Sequence, residues 1–178
     1  MSLLSYTELV ELVERGVITG VKPEAINAAS IDVRLGDKLI IESESDLTVD
    51  IAKRTMWASI GINIKDYHYD LRPGEFALAQ TIEQFNLPDD ICAEFKLKSS
   101  GARSGLENSL ATWCDCGWNG SVLTLELKNF LQYHPIRLTY GSYIGQMIFF
   151  RVAPVPRERS YGVIGRYNGD TVVQACKP

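Results

Sequence analysis

Three groups of residues have the types and spacing for chemistry. The first is Lys98-Ser-Ser-Gly-Ala-Arg-Ser-Gly105, with two cations, three hydroxyls and two glycines in eight residues. Glycines let backbone N–H groups approach an anion, hydroxyls add donors, and Lys98 and Arg103 supply charge, so the segment suits phosphate or serves as an ordinary polar turn. The second is Glu126 in Ser-Val-Leu-Thr-Leu-Glu-Leu. Strand alternation sets Leu123, Leu125 and Leu127 on one face and Val122, Thr124 and Glu126 on the other. Covered on both faces, such a strand buries Glu126 and raises its pKa toward the range useful for moving protons; otherwise Glu126 is a solvent-facing or cross-strand-paired residue. The third is Trp113-Cys-Asp-Cys-Gly-Trp-Asn-Gly120, where Asp115 either caps a turn or holds a sugar hydroxyl or a water.

Other chemistries find no matching pattern. A zinc-dependent nucleotide deaminase needs His-x-Glu and Pro-Cys-x-x-Cys, but neither His68 nor His134 is followed by Glu two positions later, and Cys92, Cys114, Cys116 and Cys176 are misspaced. The expectation is therefore no zinc, with both histidines at the surface or structural. The glycine-rich loop lacks Walker A spacing, and no nucleophile elbow surrounds a serine or cysteine.

These groups must be positioned by short elements. Ser5-Tyr-Thr-Glu8 has capping-box spacing, and Leu9, Val10, Leu12 and Val13 follow on one helical face before Gly16, which predicts one short N-terminal helix. Beyond it the apolar period becomes two. Strands are predicted at Ile31 to Leu35, Lys38 to Ile41, Glu75 to Ile82, Ile91 to Leu97, Ser121 to Leu127, Ile136 to Tyr140 and Gln146 to Val152. Turn residues such as Arg72-Pro-Gly74 and Leu87-Pro-Asp89 separate them. Many short strands without alternating long helices indicate a mainly β sandwich, jelly roll or barrel. Residues 1–178 read as one unit, with residues 157–170, bearing Gly162, Gly165 and Gly169, as a mobile or ligand-ordered segment of the tail.

Of 178 residues, 46% are hydrophobic, enough for a core, and the net charge of -4 argues against a broad nucleic-acid surface. Without a leader pattern or a bilayer-spanning apolar stretch, a cytoplasmic protein with reduced thiols and no membrane association is expected. Charge is uneven: from residue 151 onward five cations face two carboxylates. This basic tail is either a solvated arm or one that closes over an anion.

In order and approximate spacing, the segments resemble the dCTP deaminase family of the homotrimeric dCTP deaminase and dUTPase superfamily. Ala29-Ser-Ile-Asp-Val-Arg-Leu-Gly36 resembles the Asp-x-Arg-Leu-Gly strand of the trimer core, and Lys98 to Gly105 the Arg-Ser-Ser-x-x-Arg loop, with Lys98 for Arg. Ala111-Thr-Trp-Cys-Asp115 followed by Gly117-Trp-Asn-Gly120 is similar to the pyrimidine and deoxyribose segment. Leu125-Glu-Leu-Lys-Asn129 is similar to the strand carrying the catalytic glutamate, and Ile144-Gly-Gln-Met147 to the strand after it. Arg166-Tyr-Asn-Gly-Asp170 resembles the closing Lys-Tyr-x-x-Gln, with Asp170 for Gln. The stretch before Ala111 is one residue shorter than in the family and that between Gly120 and Glu126 one longer, so a bulge must restore Glu126 to its face.

The resemblance implies a distorted jelly-roll or β-barrel of the dUTPase-like type, with a tail over about 157–178 closing over the nucleotide. It implies zinc-independent hydrolysis of dCTP to dUTP and ammonia, with Glu126, Ser99 and Arg103 catalytic. Lys98, Ser100, Ala111, Thr112, Trp113, Asp115, Tyr161, Arg166 and Asp170 are implied to bind nucleotide. Mg²⁺ would arrive on the triphosphate, the site would form between subunits of a homotrimer, and dTTP is a candidate inhibitor. The rivals are a dUTPase, a bifunctional enzyme giving dUMP and pyrophosphate, with Asp115 activating water and Trp113 as the aromatic of such relatives, and a non-catalytic nucleotide sensor.

Overall fold

The computed structural model describes residues 1–109 and 111–177. In chain order its main elements are β1 (Ser2–Leu3), α1 (Tyr6–Glu14), β2 (Ile18–Thr19), β3 (Ile31–Arg34), β4 (Lys38–Glu42), β5 (Ser59–Asn63), β6 (His68–Leu71) and β7 (Phe76–Asn86). There follow β8 (Ile91–Leu97), α2 (Ser99–Arg103), β9 (Leu106–Asn108), β10 (Trp113–Cys114), β11 (Asn119–Asn129), β12 (Ile136–Thr139), β13 (Tyr143–Arg151) and α3 (Tyr161–Ile164).

Helix α1 begins at Ser5, where the Ser5 N–H donates to Glu8 Oε2 at 2.9 Å and completes the capping box; Leu9 and Leu12 are buried beneath it. The strands form antiparallel sheets: β1-β13-β8-β10 with β3 also on β13, β5-β4-β7-β11-β9 with β2 on β7, and the small pair β12-β6. This is the mainly β, jelly-roll-like arrangement expected. All seven predicted strands are present, while β1, β2, β5, β6, β9 and β10 carry too little alternation to be read from sequence.

β7 and β11 are the longest, at 11 residues each. Their pairing is irregular at two places. Gly120, at φ 66°, is an extra residue on β11, and between Val122 and Thr124 the partner jumps from Gln84 to Gln80. The resulting bulge on β7 is satisfied locally: the Leu123 N–H donates to Thr81 Oγ1 at 2.9 Å, and that hydroxyl donates to Glu83 O at 2.9 Å. Leu123, Leu125 and Leu127 then lie in the core.

The bulge also turns Glu83 toward the other sheet. Its carboxylate, 1% exposed, accepts Arg34 Nε and the Arg34 backbone N–H, each at 2.8 Å, while the Arg34 guanidinium also donates to Gly20 O. Nearby, Gly36 donates its N–H to Gln80 O at 2.7 Å, and a Cβ on Gly36 would lie 2.6 Å from the Gln80 side chain. β3 and β7 thus meet through an ion pair and a close backbone approach.

Removing one partner of a buried pair strands the other charge. Glu83→Ala is expected to lower stability by about 3–5 kcal/mol in urea unfolding. The double variant Arg34→Met/Glu83→Leu should recover most of that loss, because both charges leave together. A loss below 1 kcal/mol in the single variant would contradict a structural role for the pair.

Candidate active site

Glu126 follows from the β11 alternation. Its N–H donates to Asn108 Oδ1 at 3.0 Å and its carbonyl accepts the Ser109 N–H at 2.8 Å, so β9 fixes the backbone from one side and Leu78 of β7 faces it on the other. The side chain enters a cavity of about 550 Å³, also lined by Val122 and Thr124. Its Oε2 is buried without a hydrogen-bond partner among the described residues. Burial pushes the carboxyl up to about 7, opposed by a hydrogen bond from its own backbone N–H. A carboxyl poised near neutrality can both take and return a proton.

Ala111, Trp113 and Asp115 reach the same cavity. The two-residue strand β10 pairs with β8 and directs this segment, and Trp113 Nε1 donates to Asp115 Oδ1 at 2.8 Å. Trp113 lies over Phe150 with ring centroids 6.2 Å apart. Cys114 and Cys116 are buried, and burial raises both thiols, Cys116 to about 11, so they are protonated at neutral pH. Among the described residues no group of three or more His, Cys, Asp and Glu side chains could hold a metal ion.

From sequence the tail is expected to be either mobile or ligand-ordered. It is folded back and tied down at several points. Ser160 Oγ donates to Asp89 at 2.5 Å, Trp118 Nε1 donates to Tyr167 O at 2.8 Å, and the Val122 N–H donates to Asp170 O at 2.8 Å. Farther along, the Val173 N–H donates to the buried Gln80 Oε1 at 2.8 Å. Tyr161, Tyr167, Asp170 and residues 174–176 consequently line the cavity. Asp170 does not stand as a bare carboxylate: Lys177 Nζ donates to both its oxygens, at 2.6 and 2.7 Å.

Other residues marked in the sequence lie elsewhere. Residues 99–103 form a short helix instead of a polar turn, and Ser99, Ser100 and Arg103 are exposed outside the cavity lining of their own chain. Lys98 is ion-paired with Asp32 of β3, which Asn27 Nδ2 also contacts at 2.9 Å. Thr112 and Arg166 do not line the cavity, and His68 and His134 are exposed. Sequence reading missed the connection between β4 and β5, from which Val49, Ile51, Arg54, Thr55, Met56 and Trp57 form another wall. The one available signal was Met56-Trp57 in a stretch with no strand alternation.

The family model described as dCTP deaminase-like matches residues 3–152. The chain is 34% identical over 171 residues to a protein of Aquifex aeolicus named "dCTP deaminase, dUMP-forming", covering 94% of this chain and 89% of that one. It is 41% identical over 154 residues to a protein of the same name from Acidothermus cellulolyticus, covering 83% and 78%. In fold it is similar to the crystal structure of 2'-deoxycytidine 5'-triphosphate deaminase from Agrobacterium tumefaciens, with TM-score 0.66, 22% identity and 84% of this chain covered. The match spans 47% of that larger chain. No helix among the described residues is long and apolar enough to cross a membrane.

The raised carboxyl has a signed consequence for stability. Between pH 4.5, its ordinary value, and about 7, Glu126 ionises in the unfolded chain while staying protonated in the folded one. Its contribution is present below pH 4.5 and lost as pH rises through 7. Glu126→Gln, which does not titrate, should match wild type at pH 4 and exceed it at pH 8 by on the order of 3 kcal/mol in urea unfolding. Parallel pH profiles for the two proteins would show that Glu126 titrates as an ordinary exposed carboxyl.

Proposed function

Because the chain belongs to the dCTP deaminase-like family, we propose that it deaminates dCTP, water replacing the C4 amino group to give dUTP and ammonia. The observation that carries this reading is Glu126, a buried carboxyl with one unpartnered oxygen on the wall of a nucleotide-sized cavity. Ionised, Glu126 takes a proton from water and passes it to N3 as the hydroxide adds to C4; it then takes the proton of the new C4 hydroxyl and gives it to the amino group, which leaves as ammonia while the C4 carbonyl forms. Backbone at Ala111, with Thr112 beside it, orients the base, Trp113 covers it, and Asp115 meets the deoxyribose.

Ser99, Ser100 and Arg103 complete this site only from another copy of the chain, since α2 lies outside its own cavity. A homotrimer with sites between subunits accounts for that separation. In such a site Ser99 and Arg103 hold the attacking water and the charge around it, and Ser100 meets phosphate. Lys98 anchors the start of α2 through Asp32. The tail over 157–178 closes on the nucleotide, with Tyr161 and Asp170 at the cavity and Arg166 directed to phosphate from outside it.

The cavity carboxylates are individually engaged or isolated rather than convergent: Asp170 with Lys177, Asp115 with Trp113, Glu126 alone. They suit Mg²⁺ carried on the triphosphate's own oxygens, where it neutralises phosphate charge, better than a protein-held ion.

The names of the relatives, which include dUMP formation, support a second step. Asp115, at the cavity and held by Trp113 Nε1, activates a second water at the α-phosphate, so that dUTP and water give dUMP and pyrophosphate. With dCTP and Mg²⁺, chromatography is expected to show dUMP and one ammonia for each dCTP consumed. Glu126→Gln should cut ammonia release by about 10²–10⁴-fold while dCTP binding persists, and Asp115→Asn should stop at dUTP. Tight nucleotide binding without release of ammonia or pyrophosphate over hours would leave a sensor in place of the enzyme.

A further inference from the structure

Acidic side chains outnumber basic ones on the lining of the cavity. Glu126, Asp115 and Asp170 all line it, and Lys177 answers Asp170 alone. Among the described lining residues one is Lys or Arg, namely Arg54. It lies in the connection between β4 and β5, beside Met56 and Trp57 on the same wall.

Arg54 is the one described non-glycine residue with positive φ, at 55°. In that left-handed region Cβ crowds the backbone, so Gly, Asn or Asp ordinarily take the position. The turn is held by Arg54 N–H to Ile51 O at 3.2 Å and Thr55 N–H to Asp50 O at 3.0 Å. Asp50, the adjacent carboxylate, caps the Ala52 and Lys53 N–H groups and pairs with Lys53 at 3.5 Å. Among the described residues, no carboxylate therefore pairs with the Arg54 guanidinium. An exposed arginine in a strained turn, on the lining of the cavity and paired with no carboxylate there, has the features of a ligand contact.

We propose, resting on the nucleotide reading above, that Arg54 is a substrate-binding residue whose guanidinium takes phosphate oxygens of the triphosphate. The planar fork offers paired donors to an anion that carries several charges, which a lysine offers less well. Arg54 is absent from the motifs by which the chain resembles its family, and it enters the site from an element with no role assigned above. It sets the preference for a triphosphate over a nucleoside or monophosphate, and leaves the chemistry at C4 to Glu126.

The test compares wild type with Arg54→Gln, Arg54→Lys and Arg54→Gly, titrating each with deoxycytidine, dCMP, dCTP and inorganic tripolyphosphate by calorimetry. Arg54→Gln is expected to weaken dCTP and tripolyphosphate by about 10–100-fold, leave deoxycytidine unchanged, and raise KM with kcat within about threefold. Arg54→Lys should recover part of the affinity. Arg54→Gly relieves the left-handed turn, so its melting temperature should not fall below wild type even though it binds phosphate as poorly as the Gln variant. The proposal is overturned if Arg54→Gln binds both polyphosphates normally, loses deoxycytidine equally, or shifts the pH midpoint of kcat without raising KM. It is also overturned if wild type binds neither polyphosphate. Wild type that binds dCTP but releases no ammonia would remove the deaminase reading alone, and the tripolyphosphate comparison would still decide Arg54.

Discussion

Everything at the cavity depends on the alternation of β11 between its two neighbours. β7 and β9 hold the strand by hydrogen bonds on both edges, so successive side chains must point to opposite faces. Leu123, Leu125 and Leu127 take the core face, and burial of each is worth about 1.5–3 kcal/mol. Holding Glu126 protonated near pH 7 costs on the order of 3 kcal/mol once it must ionise. The leucines outweigh that cost, which is why a register that desolvates a carboxyl persists. A slip of one residue would expose three leucines and place Glu126 in the core.

The irregularities of β7 and β11 are part of the same constraint. Gly120 absorbs an extra residue at the start of β11, and the β7 bulge at Thr81–Glu83 keeps the two strands in phase afterwards. Thr81 satisfies the backbone left open by the bulge, and Glu83 turns out to meet Arg34. One local distortion therefore serves both the Glu126 face and the bond between the two large sheets. It also brings Gln80 to Gly36 on one side and to Val173 of the tail on the other.

Three carboxylates lining one cavity would repel one another if all were free. The fold gives each a different environment. Asp170 is neutralised by Lys177, Asp115 accepts an indole N–H, and Glu126 is desolvated and so keeps its proton to about pH 7. On the proposed reading this division assigns the proton shuttle to Glu126 and leaves Asp115 for the sugar and the second water. The hydroxyls and Arg103 of α2 are exposed and do not line their own cavity, and on the same proposed reading another copy of the chain supplies them.

The amino-acid sequence by itself determined the local features. The capping box of α1, the seven strands with regular alternation and the split of β11 into a leucine face and a Glu126 face all follow from periodicity and side-chain type. So did the nomination of Asp115 and Glu126, because a carboxyl within an apolar pattern stands out. Tertiary structure decided what depends on contacts between distant segments. Two-residue strands such as β10 have no period to read and exist only because a long neighbour supplies their hydrogen bonds. The pairing of Lys98 with Asp32, separated by 66 residues, gives that cation a carboxylate partner that composition alone could not show. The tail, polar and rich in glycine, reads from local composition as mobile or ligand-ordered, because its anchors, backbone groups of β11 and side chains at Gln80, Asp89 and Trp118, lie far away in sequence. Arg54 joined the cavity for the same reason: a turn without alternation declares no face, and only the packed β4–β5 connection gives it one.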